Sequence, residues 1–271
     1  MKRSIRLILT LSLIILFYAM PTVVKAESTT EWKLWPSQPD VKIYKEWEIK
    51  FSEAVDYRNL SRENIMIVRE RDNAKIAVNP IIFSEDQHVV KLGLHELFDF
   101  DETYYLYVKD VKSIKGSTLK EPIKMKFQTE KVEFNINKTT EQEGLKFDVS
   151  LGQTVDNLYA KVKVMNVSED SIPYWGSDGC DRGLSASVLT KNNTGETKVG
   201  SKWFNSLIAC NAALWQKSLK PGETVEIFEV LYLPAQPLFE NNYLQLTFKK
   251  GNLEDRPYPS QISVEIPIEL K

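Results

Sequence analysis

An all-β chain of two antiparallel β-sandwiches behind an export signal is the architecture this sequence predicts. Three observations carry the prediction. The first 26 residues have the charge and hydropathy layout of a cleavable leader. The rest of the chain holds almost no long stretch of helical periodicity. Short runs of alternating apolar and polar residues recur instead, separated by polar and glycine turns.

In the leader, Lys2, Arg3 and Arg6 precede the apolar run "LILTLSLIILFYA", residues 7–19, and Val24-Lys25-Ala26 supplies small residues for a signal peptidase acting between Ala26 and Glu27. A thirteen-residue apolar run is short for a membrane span, and no stop-transfer pattern follows, so no stable membrane insertion is expected after cleavage. Cleavage would remove four of the 35 basic residues and none of the 37 acidic ones, leaving a formal charge of −6. That balance argues against nucleic acid or anionic lipid as a general partner.

The elements of the first half, residues 27–131, follow in order. "EWKLW" and "EWEIKF" read as strands, the second setting Trp47, Ile49 and Phe51 against Glu46, Glu48 and Lys50. Asp56 to Glu63 reads as a polar loop with at most one helical turn, for which Ser61 is the expected N-cap. "NIMIVRE", "KIAVNPIIF" beyond the turn at Arg71-Asp72-Asn73, "HVVKLGL", "TYYLYVKDV" and "IKMKFQT" complete the set. This makes about seven strands in roughly a hundred residues, an immunoglobulin-like count.

Spaced positions in this half carry a resemblance. Phe51, Val55 and Asp56 are followed by Asn64, Ile65 and Val68. Tyr105 and Tyr107 lead through Ser113, Gly116 and Leu119 to Met125, Phe127 and Thr129. Over residues 31–130 the chain resembles the bacterial Ig-like domain of S-layer and other cell-surface proteins of Gram-positive bacteria. The resemblance implies a spacer or adhesive module with no catalytic residues. Independently of it, Phe51, Ile65, Tyr105 and Phe127 alternate with polar neighbours and are expected in a sandwich core. Gly116 stands where a tight connection wants φ > 0.

"TEKVEFNIN" then runs straight into the second half, residues 132–271, so the halves are expected to abut semi-rigidly. "GLKFDVSL", "LYAKVKVMNVS", "LSASVLT", "ETVEIFEVLYLP", "NYLQLTFK" and "ISVEIPIEL" read as strands, and Lys220-Pro221-Gly222-Glu223 as a turn. That turn and "NVSEDSIP", residues 166–173, weakly resemble the β-sandwich family of the Bacillus intracellular proteinase inhibitor. The alternative this implies is a secreted protease inhibitor or regulator, acting through an exposed loop at Pro173–Gly183 or Lys191–Gly200.

Cys180 and Cys210 are the chain's two cysteines, and two thiols in an exported protein are expected to pair. The loop they would close is about thirty residues long, for which the chain-entropy model gives roughly 3 to 4 kcal/mol. Zinc needs four ligands and no histidine lies in this half. A nucleophilic thiol needs a base, and His88 and His95 belong to the other half; a reactive free thiol is the alternative to the disulfide. Tyr174, Trp175, Asp178, Asp181, Arg182, Trp203 and Phe204 lie on or near the stretch the bridge would pin. Aromatics and arginine there have a hot-spot composition and form the candidate binding surface, the bland alternative being core packing.

No nucleophile elbow and no phosphate-binding glycine loop is present. Asp99, Asp101 and Glu102 are too few for a calcium cage and read as a solvated loop. No catalytic residue, metal or cofactor is expected. The function expected is that of a secreted, non-catalytic binding or structural protein at the cell envelope. Its partner would be an envelope component or an extracellular protein, which would also have to supply any retention at the wall.

Overall fold

The computed structural model describes residues 31–83, 86–177, 182–203, 215–234, 238–251 and 260–270. Among them the alternating runs of the first half form β1 (Lys33–Val41), β2 (Trp47–Lys50), β3 (Ile65–Arg69), β4 (Lys75–Ile76), β5 (Val78–Phe83), β6 (Asp86–Leu94), β7 (Thr103–Val108) and β8 (Ile123–Thr129). One sheet runs β1-β8-β7-β3-β4 and the other β2-β6-β5. Inward positions of β8, namely Ile123, Met125 and Phe127, are buried, as are Tyr104, Leu106 and Val108 of β7. Tyr105 and Tyr107 therefore point outward. The expected core position Tyr105 is corrected by one step of the strand period.

Two further expectations change. The pairing is not wholly antiparallel, because β1 runs parallel to β8, from Lys33 beside Ile123 to Val41 beside Thr129. This edge strand carries Pro36 and Pro39, and the opposite sheet's edge strand β5 carries Pro80. Residues without an N–H fit an edge and blunt it against further pairing. The helical turn is a 3-10 turn over Tyr57–Asn59 capped by Asp56, whose carboxylate accepts from the Arg58 amide at 3.1 Å. Ser61 Oγ instead accepts from the Glu63 amide at 3.2 Å, outside the turn. Gly116 does take a positive φ, +86°.

The second half forms β9 (Phe134–Gln142), β10 (Leu145–Gln153), β11 (Asn157–Asn166), β12 (Ile172–Gly176), β13 (Leu184–Lys191), β14 (Thr197–Val199), β15 (Trp215–Leu219), β16 (Thr224–Tyr232), β17 (Asn241–Phe248) and β18 (Ile262–Pro267). Sheets β16-β11-β10-β9 and β14-β13-β17-β18 enclose a core including Phe147, Val149, Val162, Val188, Leu246 and Phe248, with β12-β15 as a separate pair. At the turn before β16, Glu223 N–H donates to Lys220 C=O at 2.9 Å and Gly222 has φ +78°. Tyr174 to Gly176, read from sequence as part of a loop, belong to β12.

The two sandwiches meet through a buried junction. Residues 130–133 alone separate β8 from β9. Glu130, only 5 % exposed, accepts from Tyr159 Oη at 2.5 Å, from the Ile43 amide at 3.3 Å and from Lys42 Nζ at 3.0 Å. Asn157 Nδ2 donates to Tyr44 Oη at 3.0 Å. Phe100 stands edge-on to Tyr159, with ring centroids 5.1 Å apart, and lies near Phe134 and Phe228. Tyr159 and Val230 of the second sandwich thus belong to the first one's hydrophobic cluster. Gly152 permits the close approach of the linker. A Cβ there would fall 2.4 Å from Val132 Cγ1 and 3.1 Å from Glu133 C=O.

Burial at this junction raises the phenol pKa of Tyr44 and of Tyr159, the latter also through Glu130; it pushes Tyr232 up to about 12, with Tyr44 adding to the shift. A phenol whose folded pKa exceeds its unfolded value of about 10 favours the folded state fully below pH 10. That contribution is lost as pH rises from about 10 through 12. The melting temperature should therefore fall over this window, and less steeply in Tyr159→Phe. A flat profile for the parent protein would contradict the assignment.

Candidate functional site

Among the described residues, the sequence-derived candidates do not share one surface. Tyr174 is 8 % exposed, its ring 5.3 Å from that of Phe248, and Trp175 is 3 % exposed with its amide bonded to Lys249 C=O at 2.9 Å. Both side chains are buried, Tyr174 within the second core. Trp203 lies at the junction, 6.0 Å from the Tyr44 ring. Arg182 is exposed, and its Nη1 donates to Glu226 C=O at 3.0 Å, so it lies over β16. Asp178, Cys180, Asp181, Phe204 and Cys210 fall outside the described residues, as do Ala26 and Glu27.

The other titratable candidates are engaged locally. Asp99 pairs with Arg69 and Arg71 at 2.5 and 2.8 Å, Glu102 pairs with Arg71 at 2.9 Å, and Asp101 accepts from Gln128 at 3.2 Å. Arg69 also holds Asp72 down to a pKa of about 2. His88 contacts Asp86 at 3.1 Å and His95 contacts Arg62 at 3.3 Å. Among the described residues no three His, Cys, Asp or Glu side chains gather as a metal site would require. The β13–β14 hairpin, one of the two loops considered for protease inhibition, is tied by Asn192 Oδ1. This oxygen accepts from the Thr194 and Glu196 amides at 3.1 and 2.8 Å.

A concavity lies on a face that no motif marked. The outward side of β16-β11-β10-β9 forms an open trough of about 720 Å³. Cross-strand register builds its floor in rows. Asn137, Ser150, Lys161 and Phe228 stand side by side, followed by Thr139, Asp148, Lys163 and Glu226. Inward neighbours Val149 and Val162 hold the sheet to the core, so the strand period forces these polar side chains outward. Ser150 Oγ donates to Asn137 Oδ1 and Thr139 Oγ1 to Asp148 Oδ1, both at 2.7 Å, and Lys163 pairs with Glu226 at 3.4 Å. The Lys161 ammonium sits 3.9 Å from the Phe134 ring centroid. One row further on, Tyr159 and Val230 are buried by the first sandwich, which therefore borders the trough. Arg182 is the candidate from the sequence that reaches it. The signal available in the sequence was the polar phase of "KFDVS" and "KVKVM"; nothing in it aligned those strands.

Comparison with known proteins bears on the first sandwich. No curated protein matches the chain. Solved structures that match include the N-terminal part of the bacterial S-layer protein SbsC, at 11 % identity and a TM-score of 0.30, covering 86 % of this chain and 43 % of that one. Domains 1–6 of surface layer protein SbsC match at 10 % identity and a TM-score of 0.29, covering 85 % and 53 %. The chain spans about half or less of the length of these structures. No helix among the described residues is long and apolar enough to cross a membrane. Residues 33–129 match the model of the bacterial Ig-like domain family, so the resemblance read from residues 31–130 stands, and the first sandwich is a bacterial Ig-like domain.

Proposed function

We propose that this chain is an exported, non-catalytic protein of the bacterial cell surface, whose Ig-like first sandwich holds the second in a fixed orientation for binding. The observation that carries this reading is the junction. A buried carboxylate bonded across the boundary and an aromatic cluster shared by both halves suit a rigid presenting unit, and flexible tethering would need neither. The division proposed is a leader over residues 1–26, the Ig-like sandwich over 27–131 and a second sandwich over 132–271 with a Cys180–Cys210 bridge. Its partner would be an envelope component or another extracellular protein.

Fractionation followed by intact-mass measurement tests the proposal. The expected product is outside the cytoplasm, begins at Glu27 and takes up alkyl groups only after reduction. Full-length protein confined to the cytoplasm would overturn the export reading. Alkylation without reduction would overturn the bridge alone and return Cys180 to the reactive-thiol case.

A further inference from the structure

The trough has chemistry that a merely solvated face does not need. Its outward-facing charged residues are Lys161, Lys163 and Arg182 against Asp148 and Glu226, a surplus of one positive charge on a chain whose formal charge is −2. Two of the cations are held in place, Lys161 against the Phe134 ring and Arg182 on Glu226 C=O. Groups already fixed lose less freedom when a ligand arrives. Between the cations lie an amide, two hydroxyls and a carboxylate, from Asn137, Ser150, Thr139 and Asp148, which suit many hydroxyl partners and offer little to an apolar peptide. Four strands at about 4.8 Å spacing make the floor roughly 14 Å wide, so an extended chain crossing it meets a new side chain at every strand.

From this geometry we infer that the outward face of β16-β11-β10-β9 binds an anionic polysaccharide, a hydroxylated chain with repeating carboxylate or phosphate charge. Lysines 161 and 163 receive the anionic groups, and Asn137 and Ser150 bond the hydroxyls. The inference rests on the cell-surface reading and names the class of ligand that surface would meet. Bases without aromatic shelves to stack on, as in single-stranded nucleic acid, find a poorer match, because among the described residues Phe228 is the one ring in the lining.

The test uses the purified full chain with polygalacturonate, poly(glycerol phosphate), neutral dextran and single-stranded DNA as probes. Retention of at least one polyanionic glycan is expected, with uronate or phosphate identified by which arm binds. It should weaken sharply between about 0.1 M and 1 M salt, as the Debye length falls from about 10 Å to 3 Å. Lys161→Glu with Lys163→Glu should weaken binding at least about tenfold. The same charge change on the first sandwich, Lys124→Glu with Lys126→Glu, should leave it within about twofold. Asn137→Ala with Ser150→Ala alters no charge and should cost roughly two- to tenfold. Equal losses in the two lysine pairs would overturn the inference, as would dextran or DNA binding as tightly as the glycans, or a folded parent protein that binds neither glycan. Such a failure in a protein found at the cell surface leaves the cell-surface reading standing; a cytoplasmic protein overturns that reading instead.

Discussion

Glu130→Ala should lower stability by about 3–5 kcal/mol, the range for removing one partner of a buried charged network. The carboxylate lies at 5 % exposure, and its loss strands the Tyr159 hydroxyl and the Ile43 amide in the interior and frees Lys42. Each stranded donor forfeits its desolvation cost without return. At about 2–4 °C per kcal/mol for a chain of this size, the melting temperature should drop by roughly 6–20 °C. Protease cleavage within residues 130–133 should accelerate alongside, because the linker is packed on Gly152 only while the sandwiches stay docked. Glu130→Gln keeps the shape and one acceptor and should cost less. A loss under about 1 kcal/mol in the alanine variant would assign the junction to the aromatic cluster alone.

A comparable loss, about 3–5 kcal/mol, is expected of Phe127→Ala for a different reason. Phe127 is fully buried, stacked on Tyr104 at 5.3 Å and packed against Trp47 at 5.1 Å and Phe98 at 5.3 Å. Removing the ring leaves a cavity ringed by aromatics that cannot collapse into it. Because Tyr159 and Val230 of the second sandwich belong to the same cluster, the damage should spread across the boundary. Calorimetry should show one transition displaced to lower temperature. Two separate transitions, with only one displaced, would show that the sandwiches unfold independently.

Much of the fold was legible because a strand with one buried face has to alternate. "IKMKFQT" and "LKFDVSL" could bury their apolar residues only as strands, and Gly116 and Gly222 occupy positive-φ turns that favour their residue type. Elements whose burial does not alternate were harder. β9 is exposed over most of its length and is a strand because β10 pairs with it. β1 carries two prolines and finds its place as a parallel edge. The outward phase of Tyr105 is not legible in the sequence because a tyrosine suits either side of a sheet. Outside it bonds to Glu70 at 2.6 Å.

The sequence by itself determined the strand periods, the turns and the Ig-like identity of the first half, since each depends on neighbours a few residues apart. Tertiary structure alone decided the contacts of the junction and the trough. Lys42 meets Glu130 across 88 positions and Asn157 meets Tyr44 across 113, and the trough needs four strands brought into one register. A period of two tells which side of its strand a residue faces. What waits on that side is set by long-range packing, and for Tyr174 it was the core, while for Lys161 and Lys163 it was open solvent.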